Sequence, residues 1–169
     1  MISAIVAVDN RWGIGKENKL LVKLHEDMNF FKFMTMGTTV IMGMNTFKSM
    51  NCKPLPGRTN IVICRTDEVC DQKEKNLIFM DMFSVKNLLI KNPHQNIFII
   101  GGGATYQTLL QYCETVYVTK ISRKFDADVY FPNLDADNKW ERKSTSQLFI
   151  TEEEDLAFTF NRYERKVYV

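Results

Sequence analysis

Histidine and cysteine are scarce in this chain of 169 residues: two histidines, His25 and His94, and four cysteines, Cys52, Cys64, Cys70 and Cys113, none at metal-ligand spacing. No metal site is expected, because structural zinc needs closely spaced Cys and His pairs. Net charge is nearly absent too. The 22 basic and 20 acidic residues leave +2, with no block of one sign to follow a phosphate backbone or a lipid surface, so neither nucleic acid nor membrane is an expected partner. Residues 2–8, Ile-Ser-Ala-Ile-Val-Ala-Val, lack a basic leader and are too short for a signal core. Their reading as a strand places the protein in the cytoplasm, where the cysteines stay free thiols. Repeats, low-complexity tracts and linker-like breaks are also missing, which leaves 1–169 as one domain.

What remains is an apolar chain, 45% hydrophobic and 12% aromatic, sufficient for a sizeable core. Short β-branched runs alternate with helical spacing: strand 2–8, helix 24–36, strand 38–42, a short helix near 45–50, and strand 60–64. Strand 77–80, helix 84–90, strand 97–100 and helix 104–110 continue the order. It predicts an α/β fold with a mixed, mostly parallel sheet and helices on both faces. Beyond strand 115–121, segments 148–151 and 157–166 flank an acidic turn, 152–155, and read as a terminal antiparallel hairpin. The loops after residues 8, 43, 64 and 101 then close the carboxyl edge of the sheet, where ligands bind in open α/β folds.

Four features carry chemistry there. Leu24, Met28, Phe31 and Met34 recur at helical spacing, and Asp27 falls within their stripe rather than beside His25, Glu26 and Asn29. An inward carboxylate is costly without a partner, so Asp27 marks either a hidden hydrogen bond or a pocket for a cationic ligand; the alternative is an ordinary first-turn acid facing the helix dipole. Strand 97–100 runs into Gly101-Gly102-Gly103 and a helix with Thr105 and Tyr106, a junction that admits backbone close to a ligand and offers amide groups to an anion. The usual dinucleotide fingerprint is missing, since the first strand is followed by a long loop, 9–23, containing Gly13-Ile14-Gly15. A second strand-to-helix turn, Gly43-Met44-Asn45-Thr46, gives Thr46 the place of an N-cap or a phosphate contact. Finally, the stiff turn Pro54-Leu55-Pro56-Gly57-Arg58-Thr59-Asn60 fixes Arg58, either as a solvated turn residue or as a fork for a carboxylate; Arg65, past the next strand, has the same two readings.

In this order and spacing the segments resemble dihydrofolate reductase nearly end to end. The carrying residues are Ile5-Val-Ala-Val8, Gly13-Ile-Gly-Lys-Glu-Asn18, Asp27 with Phe31 and Lys32, Val40-Ile-Met-Gly43 with Thr46, the turn from Pro54 to Asn60, Ile100-Gly-Gly-Gly103 with Tyr106, Thr119, and Asp128-Val-Tyr-Phe-Pro132. The resemblance implies an eight-stranded sheet, NADPH as hydride donor, dihydrofolate as acceptor and a cis peptide between Gly101 and Gly102. It also implies Asp27 and Thr119 as catalytic residues at the pterin edge. Ile5, Ala7, Met28, Phe31, Met50, Leu55 and Ile100 would form the substrate walls, with Lys32 and Arg58 at the benzoylglutamate end. Ala7, Ile14, Gly15, Gly43, Thr46, Cys64, Arg65 and Gly101, Gly102, Gly103, Ala104, Thr105 and Tyr106 would hold the cofactor.

The chain departs from the family in four places. Leu21-Val22 stand where the family has Pro-Trp, Met44 and Ala104 where some members carry a basic residue, and Asn51-Cys52-Lys53 makes the turn one residue longer. Recognition of the cofactor's 2′-phosphate then falls to Arg65, with the backbone of Cys64 or Thr66. Two other functions share such a frame: a riboflavin-pathway reductase, which would need neither an inward Asp27 nor Arg58, and a folate- or nucleotide-binding paralogue without efficient turnover. A monomer is the default expectation.

Overall fold

The computed structural model describes residues 1–65, 74–151 and 155–167. Cys70, Thr66 and residues 152–154 of the expected acidic turn lie outside the described residues. In chain order the elements are β1 (Ile2–Val8), β2 (Gly13–Lys16), β3 (Lys19–Leu20), α1 (His25–Thr35), β4 (Thr39–Gly43), α2 (Met44–Ser49), β5 (Thr59–Ile63), β6 (Leu77–Met80), α3 (Met82–Lys91), β7 (Ile97–Gly101), α4 (Gly103–Leu109), a 3-10 turn Leu110–Tyr112, β8 (Thr115–Ile121), β9 (Val129–Tyr130), β10 (Trp140–Thr145), β11 (Phe149–Ile150) and β12 (Ala157–Arg165).

The main sheet runs β10-β12-β8-β1-β7-β4-β5-β6, and β11 adds a ninth strand beside β12. From β8 to β6 every pairing is parallel, whereas β12 is antiparallel to both β8 and β10. The mixed, mostly parallel sheet is as expected. Its interior strands are apolar on both faces because helices cover both. Ile2, Ala4, Val6 and Val8 pack with Val85 and Leu89 of α3 and Tyr106 and Leu109 of α4. Ile5 points the other way, into a cluster with Val40, Met42, Val62 and Phe98, closed by Phe47 of α2 and half-buried Phe30, Phe31 and Met34 of α1. That second face carries the candidate site.

The structure corrects the sequence in several places. The segment 9–23 is not a plain loop: β2 pairs with β3 and β9 in a separate three-stranded sheet. Strands of two to four residues with alternating glycines give too little periodicity to read. Strand β10 also escapes sequence reading, since it is a sheet edge with only Trp140 buried and charged residues following it. The terminal antiparallel pair is present but short. Only Phe149 and Ile150 meet β12, in register with Phe158 and Ala157, and β10 takes the rest of its free edge. On α1 the inward stripe is Leu24, Asp27, Phe30, Phe31 and Met34, whereas Met28 is exposed. Phe30 occupies the place given to Met28, with its ring 4.5 Å from Phe160 and 6.3 Å from Tyr117. Cys52, Cys64 and Cys113 form no disulfide among the described residues.

Candidate active site

Helix α1 starts after Leu24, whose buried apolar side chain provides no cap, and its first turn carries two acids, Glu26 and Asp27, of the charge that a helix N-terminus favours. Asp27 is turned toward the sheet, where its Oδ1 accepts a hydrogen bond of 2.5 Å from the Thr119 hydroxyl. Thr119 is buried on β8 and lies in register with Ala7 of β1, so adjacent parallel strands position the carboxyl group's partner. Desolvation raises the Asp27 pKa above the ordinary carboxylate value, and the Thr119 bond opposes that rise without cancelling it. Although the residue keeps some exposure, no described cation answers the carboxylate, and Oδ2 has no described hydrogen-bond partner. An amidine-like group with two N–H donors would satisfy both oxygens.

Ile5, Phe31, Met50, Leu55 and Ile100 gather in one apolar cluster with Phe30 and Met34 of α1, the helix that carries Asp27. Ala7 packs on the neighbouring cluster of Leu24 and Ile121, together with Val22. The Ile5 carbonyl accepts a 2.7 Å hydrogen bond from the buried Tyr106 hydroxyl. One lone pair of that oxygen is therefore used, and burial pushes the Tyr106 hydroxyl far above its ordinary pKa, keeping it a donor.

At the far end of α1, Arg58 is no solvated turn residue. It is 6% exposed, and its Nε and Nη1 donate to the Pro56 carbonyl at 2.9 Å and the Thr35 hydroxyl at 3.1 Å. Thr35 in turn donates to the Phe31 carbonyl at 2.8 Å. Burial lowers the Arg58 pKa, yet a guanidinium stays charged, and no described carboxylate pairs with it. Lys32, one turn earlier, is exposed.

The turn that presents Arg58 is held by Asn60, a residue the sequence quoted but gave no role. Fully buried, it receives the Leu55 amide at 2.9 Å and donates at 3.0 Å to the carbonyls of Leu55 and Arg58. Asn60→Ala leaves the Leu55 amide and the buried Arg58 carbonyl without these partners, the Leu55 carbonyl keeping a bond from Asn76, and is expected to lower the unfolding free energy by about 2 kcal/mol. Denaturant unfolding checks this, and an unchanged midpoint would contradict it.

On the other side, the adjacent parallel strands β4 and β7 end together, so α2 and α4 begin side by side. Their N-caps, Gly43 and Gly102, bring no capping side chain. Thr46 is thus within the first turn of α2 and is not its N-cap. A Cβ at Gly43 would come within 2.8 Å of the Thr105 hydroxyl, and one at Gly102 within 3.3 Å of the Thr46 hydroxyl. Only glycine lets the two helix starts approach like this. The Gly101–Gly102 peptide is cis. Ile14 reaches the same junction, its Cδ1 4.0 Å from where a Gly103 Cβ would stand. Uncapped amides from two neighbouring helices, with hydroxyls between them, suit the phosphates of a dinucleotide. Cys64 and Arg65 follow β5, the next strand along the same edge; Cys64 is buried with its amide donated to the Met80 carbonyl, and Arg65 is exposed.

The sheet therefore brings together Asp27, Thr119, the apolar walls and the glycine junction, while Met28 and Lys32 are exposed. The family model described as dihydrofolate reductase matches residues 1–165. Dihydrofolate reductase of Bacillus subtilis is 36% identical over 167 residues, covering 98% of this chain and 95% of that protein. The enzyme of Buchnera aphidicola from Acyrthosiphon pisum is 37% identical over 141 residues, with coverage of 83% and 84%. Among solved structures, dihydrofolate reductase from Enterococcus faecalis complexed with NADP(H) superposes with a TM-score of 0.82 at 31% identity, covering 99% of this chain and 97% of that one.

Proposed function

The chain belongs to the dihydrofolate reductase family and reduces 7,8-dihydrofolate with NADPH in one-carbon metabolism; we propose that it does so in the cleft between α1 and the glycine junction. The observation that carries this assignment of the site is Asp27, a desolvated carboxyl group whose one hydrogen bond among the described residues comes from Thr119, beside an apolar face.

Under this reading Asp27 orients the pterin through two N–H···O bonds, with Thr119 fixing the carboxylate. Ile5, Ala7, Phe31, Met50, Leu55 and Ile100 exclude water from the reacting face, and Met28 stands at its solvent lip. Arg58, steadied by Thr35 and Pro56, meets the glutamate end, with Lys32 adding a flexible charge. Gly43, Thr46, Gly101, Gly102, Gly103, Ala104 and Thr105 hold the diphosphate, Ile14 and Gly15 cover the nicotinamide side, Tyr106 lies behind it, and Cys64 and Arg65 meet the adenosine phosphate. When bound, NADPH supplies the hydride that reduces C6 of the pterin. Holding two reactants in such a geometry contributes roughly 7–11 kcal/mol in favourable cases. The N5 proton comes from solvent admitted beside the loop 9–24, where a small pocket is lined by Ala7, Asp9, Leu21, Val22 and Ile121. The protein acts as a single-domain, cytoplasmic monomer whose partners are small molecules. Among the described residues, no helix is long and apolar enough to cross a membrane. A riboflavin-pathway reductase would leave Asp27 and Arg58 without a role.

A protonated Asp27 cannot accept two N–H bonds. Affinity for dihydrofolate is therefore expected to fall as pH drops through the raised Asp27 pKa, and Asp27→Asn should lose that dependence. Fluorescence titration across pH measures it; the same pH dependence in both proteins would sink the assignment. For the cofactor, Arg65→Ala is expected to weaken NADPH by about tenfold while leaving NADH almost unchanged, as removal of one phosphate contact should. Equal losses would place the phosphate elsewhere.

A further inference from the structure

The C-terminus of α1 meets the turn that presents Arg58 at three successive residues. Thr35 accepts from the Arg58 guanidinium, and the Gly37 amide donates to the Gly57 carbonyl at 2.9 Å. Between them Met36 lays its thioether over Gly57: a Cβ at Gly57 would stand 2.4 Å from the Met36 Sδ and 3.6 Å from its Cε. Gly57 has a φ of 73°, so the turn needs glycine for its backbone as well as for the space that the sulfur fills. The Met36 backbone is itself fixed, its amide donating to the Lys32 carbonyl at 3.0 Å. Its side chain is nonetheless 43% exposed, so solvent reaches the residue that covers the turn. Met34, Met42, Met44 and Met50, in the apolar cluster between α1 and the sheet, are buried or half-buried.

We propose that Met36 is a site of reversible oxidation by hydroperoxides, its sulfoxide uncovering Gly57 and loosening the turn through which Arg58 holds the substrate's carboxylate. In that step a sulfur lone pair attacks one peroxide oxygen, and an S–O bond forms as the O–O bond breaks. Sulfur gives up two electrons; the departing hydroxide takes the proton from the transferred oxygen and leaves as water. An apolar, adaptable filler thus becomes a polar, chiral group that seeks water rather than a glycine backbone. The effect reaches Arg58 because Gly57 stands between it and Pro56, whose carbonyl accepts from the Arg58 Nε. Met36 touches no reacting atom; it acts through the turn. The inference rests on the cleft assignment made above.

The test compares wild type with Met36→Leu, in which leucine keeps an apolar cover of similar volume and has no sulfur to oxidise. Both are treated with hydrogen peroxide, sulfoxide at each methionine is read by mass spectrometry of proteolytic fragments, and KM and kcat are then measured. Met36 is expected to oxidise along with Met28, which is 54% exposed. KM for dihydrofolate should then be about tenfold higher in treated wild type than in treated Met36→Leu, with kcat nearly unchanged, as a loosened charge-assisted contact predicts. Comparing two treated proteins removes the effect of oxidation at Met28, which both share. Dihydropteroate, which lacks the glutamate, should separate them far less, and the two stereospecific methionine sulfoxide reductases together should restore the wild-type KM. Met36 left as a thioether while Met28 is converted, or equal KM values in the two treated proteins, would overturn the proposal and leave the cleft assignment intact. A difference as large with dihydropteroate would overturn it equally, since the effect would not then pass through Arg58. Untreated wild-type protein that turns over no dihydrofolate would overturn the cleft assignment and this inference with it.

Discussion

Replacing Asp27 by Asn is expected to reduce turnover by roughly 10²–10³-fold at neutral pH while NADPH still binds with its wild-type affinity. Two properties of the site lead there. The carboxyl group is the only described acidic side chain on the inner face of α1, and its one partner among the described residues, Thr119, bonds to a single oxygen of the pair. An asparagine keeps the shape and the Thr119 contact, but exchanges an acceptor for a donor at the free position. The pterin then loses one of its two bonds and meets an N–H in its place. The loss should grow with pH, because at acid pH protonation of the substrate in solution lessens the need for a carboxylate. Steady-state rates of the two proteins across pH provide the check. A constant ratio would remove Asp27 from control of protonation, and equal rates would remove it from the reaction.

Arg58→Ala is expected to raise KM for dihydrofolate by roughly 10²-fold with a much smaller change in kcat, the signature of binding energy shared by ground and transition states. The guanidinium is already immobilised by Pro56 and Thr35, so its planar fork meets a carboxylate without first losing side-chain freedom. Arg58→Lys should not restore affinity, since an ammonium has no fork and the Thr35 and Pro56 oxygens would be left without these donors. A control separates substrate contact from structural damage. Dihydropteroate lacks the glutamate, so wild type and Arg58→Ala should bind it nearly alike. An equal loss with both ligands would make Arg58 a structural residue of the turn.

The parallel sheet and its carboxyl edge were legible in the sequence because burial on both faces forces long β-branched runs, and the glycine junctions were legible because only glycine permits such approach. Asp27 could be found as a charge inside an apolar stripe. Its stripe was nonetheless misdrawn, with Met28 in place of Phe30, because residues 28, 30 and 31 all fit a helical period and only the aromatic neighbours Phe160 and Tyr117 decide between them. Residues acting through backbone bonds were silent. Asn60 and Thr35 are polar side chains in a turn or at a helix end, like many solvated ones, and their burial depends on partners that only the fold supplies. Thr119 was named through the family resemblance alone, since an alternating strand gives no sign that its hydroxyl meets a carboxylate 92 positions earlier. Strands β2, β3 and β9 were hidden by their brevity, and β10 by the charges of an exposed edge.

Reaction of the purified wild-type protein with NADPH and 7,8-dihydrofolate, followed by the loss of reduced-nicotinamide absorbance, tests the central claim most directly. Oxidation of NADPH only when dihydrofolate is present, one equivalent for each tetrahydrofolate formed, is the predicted result. Protein that binds both ligands and leaves NADPH unoxidised would contradict it.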